Sequence, residues 1–128
     1  FAGRLDDAAL DAAYAGADVF VLPSLDRSES FGMVLLEAMR ARLPVVTSAI
    51  PGSGVGEVVA AGETGLLVPP GDSRALAAAI ERLQDAGLRE TLGRAGRARW
   101  ADRYTLTASA GAIEDIYRDA LANDPSLA

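Results

Sequence analysis

The sequence has no cysteine, no histidine and no lysine among its 128 residues. Without cysteine and histidine, disulfides, thiol nucleophiles, histidine-based triads and the usual zinc sites are excluded together. Without lysine there is no Walker-type phosphate loop, which needs a Gly-Lys pair. Positive charge is scarce: the basic residues number 12, all arginine, against 18 carboxylates, and the net charge of −6 speaks against a nucleic-acid footprint. Long apolar runs are missing as well. None approaches the roughly 20 residues that span a bilayer, and no signal peptide is visible. These absences lead to the expectation of a soluble, cytoplasmic domain, at most at the inner face of a membrane. Membrane contact is left open, but nothing indicates it.

What is present is a core. Half of the residues are apolar, enough for one compact domain over 1–128. Short apolar runs alternate with helical patterns. Asp6 or Asp7 can cap a helix that puts Leu10, Ala13 and Tyr14 on one face. "DVFVLP" (18–23), "PVVTS" (44–48) and "TGLLVPP" (64–70) read as strands. Helices are expected over about 30–42 and 55–61. From Asp72 onward the pattern is helical throughout, marked by Leu76, Ile80 and Leu83, then Leu88, Leu92 and Ala95, then Ile113, Ile116, Tyr117 and Leu121. Strands separated by such helices need crossover connections, so the fold is an α/β, Rossmann-like parallel sheet with a C-terminal helical tail. The division expected is a strand/helix core over 1–70 and a tail over 71–128. Phe1-Ala2-Gly3 reads as the end of a fourth strand, and a chain that begins at Phe1 is expected to be a piece of a longer protein.

Two candidate sites favour plain readings. The Gly-rich stretch "GSGVG" (52–56) stands between a strand and a helix, where phosphate-binding loops occur. Glu57 occupies the position of the third glycine of a dinucleotide fingerprint, so a tight strand-to-helix turn is preferred. Arginines 89, 94, 97, 99 and 103 spread widely around a helix with acidic residues between them, which fits a solvated face better than a membrane-binding one. Arg99 alone falls on the apolar side.

The stretch "ESFGMVLLEAM" (29–39) is different. It carries Glu29 and Glu37 eight positions apart around the start of a helix that follows the first strand, where open α/β sheets bind ligands. Gly32 keeps the first helical amides bare, and Leu36, Ala38 and Met39 around Glu37 make a partly buried carboxylate that needs a partner. Eight residues of helix rise about 12 Å, which sets the two carboxylates about 10 Å apart, too far for a retaining glycosidase pair and at the edge for an inverting one. The span suits a ligand with hydroxyls at both ends and an anion between them, the anion resting on the amides of residues 31–34 at the positive end of the helix dipole. A nucleotide-sugar has that layout.

Around this stretch, "VLPSLDRSESFGMVLLEAMRARLPVVTS" closely resembles the Pro-Ser, E-x7-E and "G-x-P-V-V" signature of the retaining GT-B glycosyltransferases of family 4, the group 1 glycosyltransferases. "GEVVAAGETGLLVPPGDSRALAAAIERL" and "RETLGRAGRARW" are similar to the same family, so the resemblance covers nearly the whole chain. It implies transfer of a sugar from a UDP- or GDP-sugar donor to an acceptor, with retention at the anomeric carbon. It also implies roles. Glu29 would contact the donor sugar and be catalytic; backbone amides of Phe31, Gly32, Met33 and Val34 would hold sugar and diphosphate; Glu37 would bind the ribose hydroxyls. No metal and no separate cofactor are implied.

The sequence departs from the family pattern in places. The usual "G-G-x-P-E" is here Ser53-Gly54-Val55-Gly56-Glu57, and Arg42 stands where a small residue, often glycine, precedes Leu-Pro. The resemblance further implies an N-terminal acceptor domain and a basic pair for the diphosphate, neither of which is in these residues; Arg27 is the local candidate cation. The chain on its own is therefore expected to be catalytically silent. The alternatives are a stand-alone nucleotide- or sugar-binding module without chemistry, and a degenerate partner subunit, against which the intact Glu29 and Glu37 weigh.

Overall fold

A computed structural model of the chain describes residues 2–26 and 32–123. In chain order its elements are α1 (Asp7–Gly16), β1 (Phe20–Leu22), α2 (Met33–Arg40), β2 (Val45–Ser48), α3 (Val55–Val58), β3 (Gly65–Val68), α4 (Ser73–Arg82), α5 (Ala86–Arg103) and α6 (Leu106–Asn123). The three strands form one parallel sheet in the order β1-β2-β3, with Phe20 opposite Val45 and Val45 opposite Gly65. This is the expected α/β architecture. Of the expected strand end Phe1-Ala2-Gly3, Phe1 lies outside the described residues, while Ala2 and Gly3 stand outside the sheet, Gly3 with a left-handed backbone (φ 64°).

Successive residues of a strand point to opposite faces, and β2 shows the result. Val45 joins Leu35, Ala38, Met39, Val55, Val58 and Val59 in a core on one face, while Val46 joins Leu66, Val68, Ala79, Leu83 and Leu92 on the other. Helices therefore cover both faces, as a parallel sheet requires. Thr47, fully buried between them, satisfies its hydroxyl by donating to the Leu22 carbonyl oxygen at 3.0 Å. Beyond residue 70, α4 and the first half of α5 contribute Ala79, Leu83 and Leu92 to the core. Ile80, expected on the same face as Leu76 and Leu83, lies at its exposed rim. In α6 the apolar positions Ile113, Ile116, Tyr117 and Leu121 are all at least half exposed among the described residues.

Helix ends follow local chemistry. Asp6 caps α1 by accepting from the Ala9 amide at 2.8 Å, and Asp72 caps α4 by accepting from the Ala75 amide at 2.9 Å. At the end of α2 the Leu43 amide donates to the Ala38 carbonyl and the Arg42 amide to the Met39 carbonyl, both at 3.0 Å, a Schellman turn. Its left-handed position is Arg42 (φ 64°), the one non-glycine described residue with positive φ. That conformation is the physical reason a glycine suits this position. The stretch 52–56 is indeed a tight turn, opening a single-turn α3 that buries Val55 and Val58.

The arginines of α5 correct the expectation of a merely solvated face. Arg89 donates to the carbonyls of Leu83 (2.7 Å) and Gln84 (3.1 Å) at the end of α4. Arg97 donates to the Arg40 carbonyl at the end of α2 (2.5 Å) and lies over the Trp100 ring, 4.5 Å from its centroid. Arg99 donates to the carbonyls of Val58 (2.9 Å) and Glu57 (2.6 Å) at the end of α3. One helix thus brings a cation to the negative ends of three others. No helix among the described residues is long and apolar enough to cross a membrane.

Candidate functional site

The ends of β1 and α2 build the site. Helix α2 starts at Met33, later than the sequence pattern predicts, because Gly32 adopts a left-handed backbone (φ 79°) as its N-cap and breaks the helical run. A side chain there is strained by the left-handed backbone, and its Cβ, 2.6 Å from Leu35 Cδ1, would force the Leu35 side chain to shift. With no side chain at the cap, nothing on Gly32 covers the first turn, and helix geometry leaves the Met33 and Val34 amides without intrahelical acceptors. The positive end of the helix dipole lies at this turn, which follows the carboxyl end of β1 in the chain.

Gly32, Met33, Val34 and Glu37 are thereby brought together on the first two turns of α2. Met33 is exposed, Val34 and Glu37 half-buried. Glu29 and Phe31, like Arg27, lie outside the described residues. Met33 and Glu37, one turn apart, line a cleft of about 490 Å³ between α1 and α2 that also takes in Leu10, Tyr14, Arg40 and Trp100.

The partner expected for Glu37 is Tyr14 of α1, whose hydroxyl donates to Glu37 Oε2 at 2.8 Å. Burial, then this hydrogen bond and the negative charge of Glu37, push the Tyr14 phenol up to about 12, with Arg40 acting against them. Arg40 itself is paired with Asp11 at 3.2 Å. The sequence pattern marks Tyr14 only as a residue on the apolar face of α1. The signal that singles it out is its hydroxyl, which a half-buried tyrosine must pair.

Such a site offers hydrogen-bond acceptors at Glu37 and amide donors at Met33 and Val34, a combination for a ligand with both hydroxyls and an anion. The family model for "Glycosyl transferases group 1" matches residues 1–86. The chain belongs to this family. Among curated relatives, the phosphatidyl-myo-inositol mannosyltransferase of Mycobacterium leprae is 43% identical over 118 residues, which are 91% of this chain and 30% of that protein. Among solved structures, sucrose-phosphate synthase from Thermosynechococcus elongatus superimposes with a TM-score of 0.79 at 40% identity, covering 97% of this chain and 30% of that one. Anabaena HepE in complex with UDP superimposes with a TM-score of 0.72 at 29% identity, over 83% of this chain and 29% of that one; it is also solved with UDP-glucose. The sheet and helices match the C-terminal domain of these GT-B enzymes, and the chain spans about a third or less of the lengths of the curated relatives it matches.

Proposed function

We propose that this chain is the donor-binding part of a retaining glycosyltransferase that takes a UDP- or GDP-sugar and passes the sugar to an acceptor. The observation that carries the reading is the match to HepE, a relative solved with UDP and with UDP-glucose. The α2 start with its glycine cap supports it, because amide donors and the helix dipole favour an anion there. In this reading Glu29 contacts the donor sugar at the reacting carbon. The amides of Phe31, Gly32, Met33 and Val34 hold the sugar and diphosphate. Glu37 accepts hydrogen bonds from the ribose hydroxyls.

Two carboxylates and a dipole of about half a unit charge do not neutralise a diphosphate. The remaining positive charge comes from Arg27 and from residues outside this sequence, together with an acceptor-binding domain. Residues 1–128 alone are therefore catalytically silent. No metal or further cofactor takes part, and the reaction is cytoplasmic.

The test is transfer by the intact gene product that contains these residues, with UDP- and GDP-sugars as donors. Glu29→Ala collapses the rate, and the product keeps the anomeric configuration of the donor. An unchanged rate would remove Glu29 from the reaction, and an inverted product would refute retention.

A further inference from the structure

The Tyr14–Glu37 hydrogen bond joins two elements 23 residues apart at the centre of the cleft. Both ends of it are built rather than incidental. The Tyr14 ring packs against the core of α2, α3 and β2 and against Phe20, with ring centroids 5.9 Å apart and planes tilted by 31°. The phenol oxygen is thus fixed by its ring, on a helix that Asp6 caps. Glu37 has no such intrinsic rigidity. The torsion that turns a glutamate carboxylate is broad, so an unanchored Glu37 would present its oxygens over a range of orientations.

The geometry of a ribose makes that orientation matter. Its two neighbouring hydroxyls are both donors and are best met by two acceptor sites of one carboxylate. An ionised carboxylate has about four acceptor sites, of which the phenol uses one, leaving enough for both hydroxyls. Holding the carboxylate still before the ligand arrives removes an ordering cost from binding.

We propose that Tyr14 is a positioning residue for nucleoside recognition, its hydroxyl holding the Glu37 carboxylate for the paired 2′ and 3′ hydroxyls of a ribose. This rests on the assignment of Glu37 to the ribose. Tyr14 touches no reacting atom in it and acts only through Glu37. The high phenol pKa agrees, since the group remains a donor throughout the neutral range.

The experiment compares UDP with 2′-deoxy-UDP, and GDP with 2′-deoxy-GDP, by titration calorimetry on the intact gene product. The readout is the affinity ratio between the ribo and deoxy nucleotide within each variant. Such a ratio is unaffected by a change in the folded fraction, so it separates positioning from loss of stability. Tyr14→Phe keeps the ring and removes the donor, and it narrows the ratio by about 5- to 20-fold. Glu37→Ala abolishes the ratio, and adding Tyr14→Phe to it changes nothing further. If Glu37→Ala collapses the ratio while Tyr14→Phe leaves it intact, the positioning role is refuted and the proposed function stands. If Glu37→Ala leaves the ratio intact, the ribose assignment itself fails, and this inference with it.

Discussion

Gly93 of α5 sits directly on the backbone of Arg42: a Cβ placed on it would lie 2.2 Å from the Arg42 carbonyl oxygen. The contact brings α5 against the turn that ends α2, and it is made of backbone, which cannot swing aside. Gly93→Ala therefore destabilises the fold by about 2–3 kcal/mol despite the better helix propensity of alanine. The same substitution at Gly111, where a Cβ meets nothing within 4 Å, stabilises α6 by about 0.5–1 kcal/mol. Urea unfolding of the two variants should show opposite shifts in midpoint.

Arg42 occupies the left-handed position of the Schellman turn at some cost, since a side chain there is strained by roughly 1 kcal/mol. Its ion pair with Glu90 is exposed on both sides and worth little. Arg42→Gly should raise stability by about 0.5–1 kcal/mol, whereas Glu90→Gln should change it by less than about 0.5. Chemical denaturation that showed Arg42→Gly to be the more destabilising of the two would refute this ordering.

The end of α3 is held by Arg99 and by Tyr104, whose hydroxyl donates to the Glu57 carbonyl at 2.8 Å. Arg99→Ala leaves the Val58 carbonyl without this donor and should cost about 1–3 kcal/mol. Arg99→Lys should recover only part of the loss, because an ammonium lacks the planar fork that reaches both carbonyls. Thermal melts of the two variants, read beside Tyr104→Phe, rank the contributions.

Alkali provides a separate check on Tyr14. Its pKa lies near 12 in the folded chain and near the ordinary 10.0 when unfolded, so the unfolded state loses this proton first as pH rises. The contribution of this group to stability is complete below pH 10 and declines as pH climbs through 12. Tyrosinate absorbance should contain a late step near pH 12 that disappears in Tyr14→Phe, and the same variant should flatten the fall in stability across that window.

Much of this was legible from pattern. The three strands, a cap at Asp6 or Asp7 and the need of Glu37 for a partner all follow from local residue types, because periodicity and capping are short-range physics. The start of α2 did not follow: apolar spacing extends the helix back toward residue 30, and only the left-handed backbone at Gly32 cuts it at Met33. Tyr14 as the partner was out of reach for another reason, since spacing along α1 says nothing about which helix lies opposite. Arg99 showed a visible signal, a cation on an apolar face, whose meaning depends on where α3 ends. Gly32 to Glu37 stand together at the start of α2 as their spacing predicts, while Glu29 and Phe31 fall outside the described residues.

The arginine brackets of α5 have a consequence for chemical modification. With no lysine in the sequence, acetyl groups, ubiquitin and amine-reactive crosslinkers find no side-chain amine within these 128 residues. The cations that close the ends of α2, α3 and α4 are thus out of reach of the commonest means by which cells and laboratories neutralise a protein's positive charge.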